Sequence, residues 1–398
     1  MALPAHLGDW INLLVRWTHL IAGIAWIGSS FYFIWLDSHL TAPDAPRPDV
    51  EGELWMVHSG GFYQVEKRLV GPGRMPRTLH WFKWEALLTW LTGFILLVVV
   101  YYLTGGVYLL QPDHSPITIA QGALLAAALL VVAWLVYDGL YRSALGRTWA
   151  ATAVACALLG GAIVLVCRLY SGRAAYIHIG AMLGTLMVAN VWMRILPAQR
   201  QMIAATARGE QPDFSLGRQA KRRSVHNSYL TFPVLFIMLS NHFPETYAHT
   251  RNWLVLILLI VTGALARHAM IGKSARARWS AVPAAAVVVV LFVMTRPAGA
   301  AASASASAGG APVPFAQARA IIQRRCQHCH SRWPADDVFT TAPNGVTFDT
   351  PEEIVARAAR IKQRAVIEQT MPLGNKTGIT PEERATLGRW IDQGAQLR

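Results

Sequence analysis

The chain of 398 residues is 54% hydrophobic and 15% charged and carries 15 tryptophans, which excludes an ordinary soluble protein and leaves room for two or three domains. The formal net charge of +14 would suit nucleic acid, yet the cations sit in connections between apolar runs, so a membrane topology signal accounts for them and no nucleic-acid partner is expected. Of the four cysteines, Cys156 and Cys167 share one apolar run. Eleven residues of helix separate them by about 16 Å, too far for a disulfide, so they read as packing residues.

No Lys or Arg occurs in residues 1–15, so the first apolar run lacks the basic flank of a cleaved signal peptide and is expected to remain as a membrane helix. Eight runs approach the ~20 residues that cross a bilayer, at about 11–36, 85–103, 117–137, 148–168, 174–196, 227–243, 252–269 and 279–296. The first contains Arg16, Trp17, His19, Trp26 and the small patch Gly28-Ser29-Ser30. A polar segment of nearly fifty residues follows, opening at Asp37 and the proline-rich 43–48 and then carrying Glu53-Leu54-Trp55-Met56-Val57-His58-Ser59-Gly60-Gly61-Phe62-Tyr63.

The connections 37–84, 138–147, 194–226 and 267–278 hold nineteen Lys and Arg, Arg74 and Lys273 among them, against three (Arg168, Arg173, Arg251) in the opposite set. The positive-inside rule places the first set in the cytoplasm, and eight spans then put both termini outside.

Ionisable groups inside spans are costly and are functional candidates. In this orientation Arg16 and His19 lie in the outer half of the first span, His178 near the outer start of the fifth, and Asn241 and His242 at the outer end of the sixth. A second set, His58, His80, Glu85, Asp138, His226, Asn227 and His268, lies at inner ends or in inner connections, with Asn190 nearer the middle. Each has a plain alternative. Arg16 could snorkel to the surface, histidines at span ends are often interfacial, and tryptophans commonly form the aromatic belt.

Residues 297–314 are Ala, Ser, Gly, Pro and one Val, uncharged and aperiodic, and read as a flexible tether reaching about 25 Å. In the remainder, 315–325 enters the pentapeptide Cys326-Gln327-His328-Cys329-His330 as a helix, 351–369 opens Pro-Glu-Glu and continues helical, and Pro381-Glu382-Glu383 opens a terminal helix. Cys-x-x-Cys-His is a c-type haem attachment site, with the two thiols forming thioethers and the histidine ligating iron. His328 lies between the cysteines, where the tether cannot turn it onto the iron, so His330 is the ligand. Met371 is the only methionine after Met294 and supplies the second axial position. A zinc site would need further Cys or His ligands, and 297–398 has none beyond the pentapeptide. A chance match is opposed by the helix, motif, helix, methionine, helix order of a small cytochrome c.

The expected architecture is therefore all-α: an eight-span bundle over 1–296, the linker 297–314, and a class I-like cytochrome c domain over 315–398. Across its length the chain resembles the bacterial membrane-bound urate oxidases with a fused cytochrome c. The resemblance is carried by Trp17-Thr18-His19-Leu20-Ile21-Ala22-Gly23-Ile24-Ala25-Trp26-Ile27-Gly28-Ser29-Ser30-Phe31-Tyr32, by Glu53 to Tyr63 and by the tethered haem motif, and departs where Ser59 stands in place of an expected glycine. It implies conversion of urate and water to 5-hydroxyisourate without peroxide in purine catabolism. Electrons would pass through haem c to a soluble cytochrome c or terminal oxidase outside the bacterial inner membrane. A shorter likeness, His19 followed by Trp26 and Gly28, is to membrane proteins that bind haem b in protoporphyrinogen oxidation, and implies His19 as a candidate ligand. Urate is largely a monoanion, so Arg16 is the expected contact and His19 or His178 the proton acceptor. The rival reading is a membrane-anchored cytochrome c that passes on electrons, for example from quinol, with no urate chemistry.

Overall fold

The computed structural model of the chain describes residues 5–72, 75–103, 106, 108–110, 115–272, 274–296, 311–339 and 341–397. Positions 297–310 of the expected tether, and Arg74 and Lys273, lie outside the described residues.

The fold is mostly helical. After α1 (Ala5–His39) comes a two-stranded antiparallel hairpin of β1 (Val50–His58) and β2 (Gly61–Arg68), which the all-α expectation lacked. The hairpin closes through Ser59 and Gly60, both at positive φ (50° and 77°), with Val57 opposite Phe62 and Met56 opposite Tyr63. Then follow α2 (Trp84–Tyr101), α3 (Ile119–Arg142), α4 (Trp149–Leu169), α5 (Gly172–Asn190), α6 (Leu196–Ala207), α7 (Phe214–Leu239), α8 (Pro244–Tyr247), α9 (Asn252–Ile271), α10 (Ala275–Arg278) and α11 (Ala281–Met294). Thr118 and Gln121 close a capping box on α3, and the Ser171 side chain accepts the Ala174 amide at the start of α5.

Seven helices among the described residues are long and apolar enough to cross a membrane, not eight. The run 227–243 falls in the second half of α7, whose first half carries Arg218, Lys221, Arg222 and Arg223, so that helix has the length of a span without its composition. The run 174–196 belongs to a longer rod. A π-turn over Val191–Ile195 joins α5 to α6 and makes 172–207 one continuous element.

This rod is the axis of the fold. Of its most apolar stretch 61% is buried, against 11–33% for the other six apolar helices, so α5 is the one enclosed by neighbours. Tyr176, Ile179, Leu183 and Leu186 of α5 pack with Ile163 and Val166 of α4, Ile237 of α7 and Leu256 of α9. Small residues allow the close approaches. A Cβ at Gly180 would lie 2.5 Å from Ile237 Cγ2, and one at Gly93 would lie 2.9 Å from His19 Cε1.

The C-terminal part has its own core around Phe315, Ile322, Phe348, Ile354, Leu387 and Trp390. Phe315–Arg325 and Pro381–Asp392 are helices at the expected positions. The expected helix 351–369 is instead three short pieces, Pro351–Ala356, Ala358–Ile361 and a π-turn Lys362–Ile367, broken where Arg357 leaves helical geometry. Thr350 with Glu353 and Thr380 with Glu383 form capping boxes, each with proline at the first helical position.

The tightest of these approaches lies at the start of α5. A Cβ on Gly172 would fall 2.0 Å from the Tyr247 carbonyl oxygen, whereas Gly160 in α4 has nothing within 4 Å. Gly172→Ala is expected to lower the thermal unfolding midpoint of the purified protein by the equivalent of about 1–3 kcal/mol, while Gly160→Ala leaves it unchanged or slightly raised.

Candidate functional site

Two buried polar networks sit on opposite ends of α5. His178 and Asn190 mark them, twelve residues or about 18 Å apart along the helix.

At the first end His178 is 1% exposed and enclosed by rings. Tyr170 stacks on it at 4.7 Å, and Tyr101 and Tyr102 meet it edge-on at 5.6 and 5.9 Å. Its Nδ1 donates to the Ala174 carbonyl at 2.7 Å, since a carbonyl only accepts. Nε2 is therefore the acceptor, and it takes the Tyr102 hydroxyl proton at 2.7 Å. One turn earlier, Arg173 donates Nε to Asn241 Oδ1 at 3.0 Å, and its guanidinium lies 4.5 Å above the Tyr108 ring. Among the described residues it makes no ion pair. A cation in the first turn of a helix opposes the helix dipole, so Arg173 does not serve helix stability. Beside it the Tyr101 hydroxyl is buried with no hydrogen-bond partner among the described residues. Burial raises the hydroxyl pKa of Tyr108 and of Tyr247, and the charge of Arg173 pulls each partly back. Tyr108 also meets Phe339 of the C-terminal part at 6.4 Å, edge to face. An unpaired cation, an amide and several phenols beside a helix N-terminus form a setting for a planar anion.

At the other end, Asp138 of α3 is buried between two guanidiniums. Arg194 from the π-turn donates Nε to Oδ1 at 2.7 Å and also reaches Oδ2, and Arg223 of α7 donates Nη2 to Oδ1 at 2.9 Å. Asn190 donates to the Tyr137 hydroxyl at 3.0 Å and to Asn227 Oδ1 at 2.9 Å. Tyr137 thus gives its own proton to His226 Nδ1 at 2.7 Å. Asn190 Oδ1 and Arg223 Nη1 remain buried without partners among the described residues.

The sequence-selected residues are not all gathered. Arg16 is exposed and bonded only to Asn12, at 3.0 Å, one turn earlier. His19 sets Nδ1 against the Thr89 carbonyl at 2.9 Å and Thr92 Oγ1 at 3.0 Å, packing its ring onto α2 beside Gly93. Tyr102, the partner of His178, is ten residues beyond Thr92, about 15 Å along the α2 direction. Of the candidates, His178 and Asn241 do fall in one cluster. Its cation is Arg173, which sequence reading set aside as a loop charge. The available signal was its position, one of only three basic residues in the outer connections, flanked by Tyr170, Tyr176 and His178.

In the C-terminal part, His330 Nδ1 donates to the Val346 carbonyl at 2.9 Å, which leaves Nε2 its lone pair, and Phe348 lies beside the ring at 5.4 Å. Burial lowers the imidazole pKa, keeping it neutral, and pushes the Cys326 thiol up to about 12 and the Cys329 thiol up to about 11. The Met371 backbone is held at both ends, its amide by the Arg364 carbonyl at 3.1 Å and its carbonyl by Arg384 at 2.7 Å. Two protonated thiols, a neutral imidazole of fixed tautomer and a thioether fit a covalently attached porphyrin. Among the described residues no three His, Cys, Asp or Glu side chains gather as a metal site, which is the arrangement a structural zinc would need.

A family model described as urate oxidase N-terminal matches residues 5–297. No curated protein and no solved structure matches the chain. The matched span contains both networks on α5 and ends before the Cys326 to His330 motif.

The Asp138 network gives a direct test of what holds the Asn190 end together. Asp138→Asn leaves the buried Arg223 and the half-buried Arg194 facing a neutral amide and is expected to cost about 3–5 kcal/mol of stability, read as a lowered unfolding midpoint in detergent. Arg142→Ala removes only an exposed partner 3.8 Å from Asp138 and should leave the midpoint unchanged.

Proposed function

The chain belongs to the urate oxidase N-terminal family, and from that premise we propose that it is a membrane-bound oxidoreductase of the bacterial inner membrane that converts urate and water to 5-hydroxyisourate, two electrons and two protons. The seven apolar helices cross the membrane together with α7, which runs antiparallel along α5 from Asn227 beside Asn190 to Ile237 against Gly180, so that eight crossings leave both termini and the C-terminal cytochrome c domain on the periplasmic side.

The observation that carries the choice of site is Arg173: a cation without an ion-pair partner among the described residues, bonded to Asn241 and lying on Tyr108, at the end of α5 that the C-terminal part meets. Urate binds there as its monoanion. Arg173 offers the charge, and Asn241 and the Tyr101 hydroxyl offer hydrogen bonds to its oxygens and nitrogens. His178 acts through Tyr102. With Nδ1 committed to Ala174, its Nε2 accepts the Tyr102 proton, so a proton leaving the water or the urate ring passes to the phenol oxygen as the phenol proton moves to the imidazole. The Tyr170 and Tyr101 rings exclude bulk water from that imidazole. Arg16 and His19 take no part in this reading, because the first is exposed and the second is packed onto α2. No haem b is invoked.

Cys326 and Cys329 would hold a haem c by thioether bonds, and His330 and Met371 would ligate its iron. When bound, that group would supply one-electron acceptance, and a soluble cytochrome c or a terminal oxidase would be its electron acceptor.

Purified oxidised protein mixed anaerobically with urate is expected to develop the absorption bands of reduced c haem. Reduction by a quinol but never by urate would make the chain an electron conduit instead. In steady state Arg173→Gln is expected to raise KM for urate roughly 10- to 100-fold, the loss of one charge-assisted hydrogen bond, with Arg16→Ala close to wild type. An unchanged KM in Arg173→Gln moves the substrate elsewhere. A pyridine haemochrome spectrum should contain c haem alone.

A further inference from the structure

The β1–β2 hairpin presents an apolar face with no protein against it. Trp55 is 61% exposed, Val57 68% and Phe62 82%, and cross-strand pairing puts them on one face, Val57 directly opposite Phe62. The opposite face carries Met56, whose sulfur accepts the Tyr32 hydroxyl of α1 at 3.7 Å. The base of the hairpin is charged instead. Arg47 pairs with Glu53 and Glu66, Lys67 with Asp37 and Glu51, and Arg68 with Asp49 and Glu66.

Its direction follows from its contacts with α1. The backbones of Thr41 and Glu53 exchange hydrogen bonds of 3.0 and 2.8 Å just past the end of α1, Lys67 reaches Asp37 at 2.7 Å, and Met56 reaches Tyr32. Advancing along β1 from Glu53 to Met56 thus moves back along α1 from residue 41 to 32. The hairpin doubles back beside the end of α1, with its tip toward the bundle. α1 and α2 are antiparallel: His19 bonds Thr89 and Thr92, and Phe33 meets Phe82 at 5.1 Å just before α2 begins at Trp84. The tip, two residues or about 7 Å beyond Met56, therefore lies at the level of the first turn of α2.

That level is marked independently. Trp84 and Trp149 open α2 and α4, Trp279 immediately precedes α11, and all three are exposed, at 57%, 83% and 70%. With α7, antiparallel to α9 through Pro233 against Gly263 and Ser228 beside Arg267, counted as a crossing, alternation puts these ends on one side, and tryptophan at such positions belongs at the boundary between headgroups and acyl chains. We propose that the hairpin is a lipid anchor: its tip inserts Trp55, Val57 and Phe62 into the headgroup–acyl boundary of the leaflet at which α2, α4 and α11 begin, while its charged base stays in water. The inference rests on reading the apolar helices as membrane spans.

The test uses the full chain in vesicles of phosphatidylcholine and phosphatidylglycerol. With Cys156 and Cys167 replaced by Ala, a nitroxide is attached at Phe62→Cys and, separately, at Val57→Cys. Glu51→Cys in the base and Val289→Cys, 61% exposed on α11, are the references, and the parent retaining Cys326 and Cys329 gives the background. Labels at 57 and 62 should collide with oxygen and be shielded from an aqueous nickel chelate, as at 289, and lie about 5–10 Å below the phosphates. The label at 51 should be open to nickel. Nickel access at 57 and 62 equal to that at 51, or shielding from both reagents as in a protein contact, overturns the anchor while 289 stays at lipid depth and the span reading survives. Nickel access at 289 as well would remove the premise and the anchor together.

Discussion

A helix enclosed on every side, in a fold whose neighbours face hydrocarbon, has no water to satisfy its polar side chains. Each must find a partner on another helix. α5 is that helix, and its two polar stations are the consequence. Ala174, His178 and Tyr102 form one closed chain of hydrogen bonds; Asn227, Asn190, Tyr137 and His226 form the other. Between them Ile179, Leu183 and Leu186 have no hydrogen bonds to make and pack into the common core. The arrangement of α2, α3, α4 and α7 around α5 is set by where those partners have to be.

The stations differ in how charge is handled. At the Asn190 end a carboxylate is already present, and Asp138 neutralises much of the field of Arg194 and Arg223. At the His178 end Arg173 has an amide and an aromatic face and, among the described residues, no carboxylate in an ion pair with it. A guanidinium stacked on a ring and bonded to a neutral oxygen keeps most of its capacity for an anion. This asymmetry, more than the number of polar groups, separates a site that can receive a charged substrate from one that ties helices together.

How much was legible in the sequence depended on how local the physics was. The helix starts at Pro351 and Pro381 and most of the apolar spans are written in neighbouring residues, and each was readable. The apolar character of the 227–243 run was over-read, because a window confined to it leaves out Arg218 to Arg223 of the same helix, although α7 still runs the length of α5. The hairpin was missed because a charged base and a glycine turn made the segment look uniformly polar, although Trp55, Val57 and Phe62 alternate as strand residues do. The largest loss was at the site. Arg16 and Arg173 look alike in one dimension, and only the packing of α5 against α7 and α8 shows which has Asn241 beside it. His178 was found because a histidine inside an apolar run is conspicuous; its partner Tyr102, one phenol among many, was not.

The π-turn at Val191–Ile195 bears on how this helix can be altered. One extra residue in a turn advances every later side chain by about 100° around the axis. The first and second halves of 172–207 thus follow two separate angular registers, and a single helical wheel drawn through both would assign the wrong face to everything beyond Asn190. Removing one residue within the turn would restore an even helix and swing the Arg194 side chain away from α3. The carboxylate of Asp138 would then keep Arg223 but lose the two-pronged contact that joins the halves of the rod to the rest of the bundle. A deletion at one point of the chain would act as a rotation of a whole face, with the His178 station untouched.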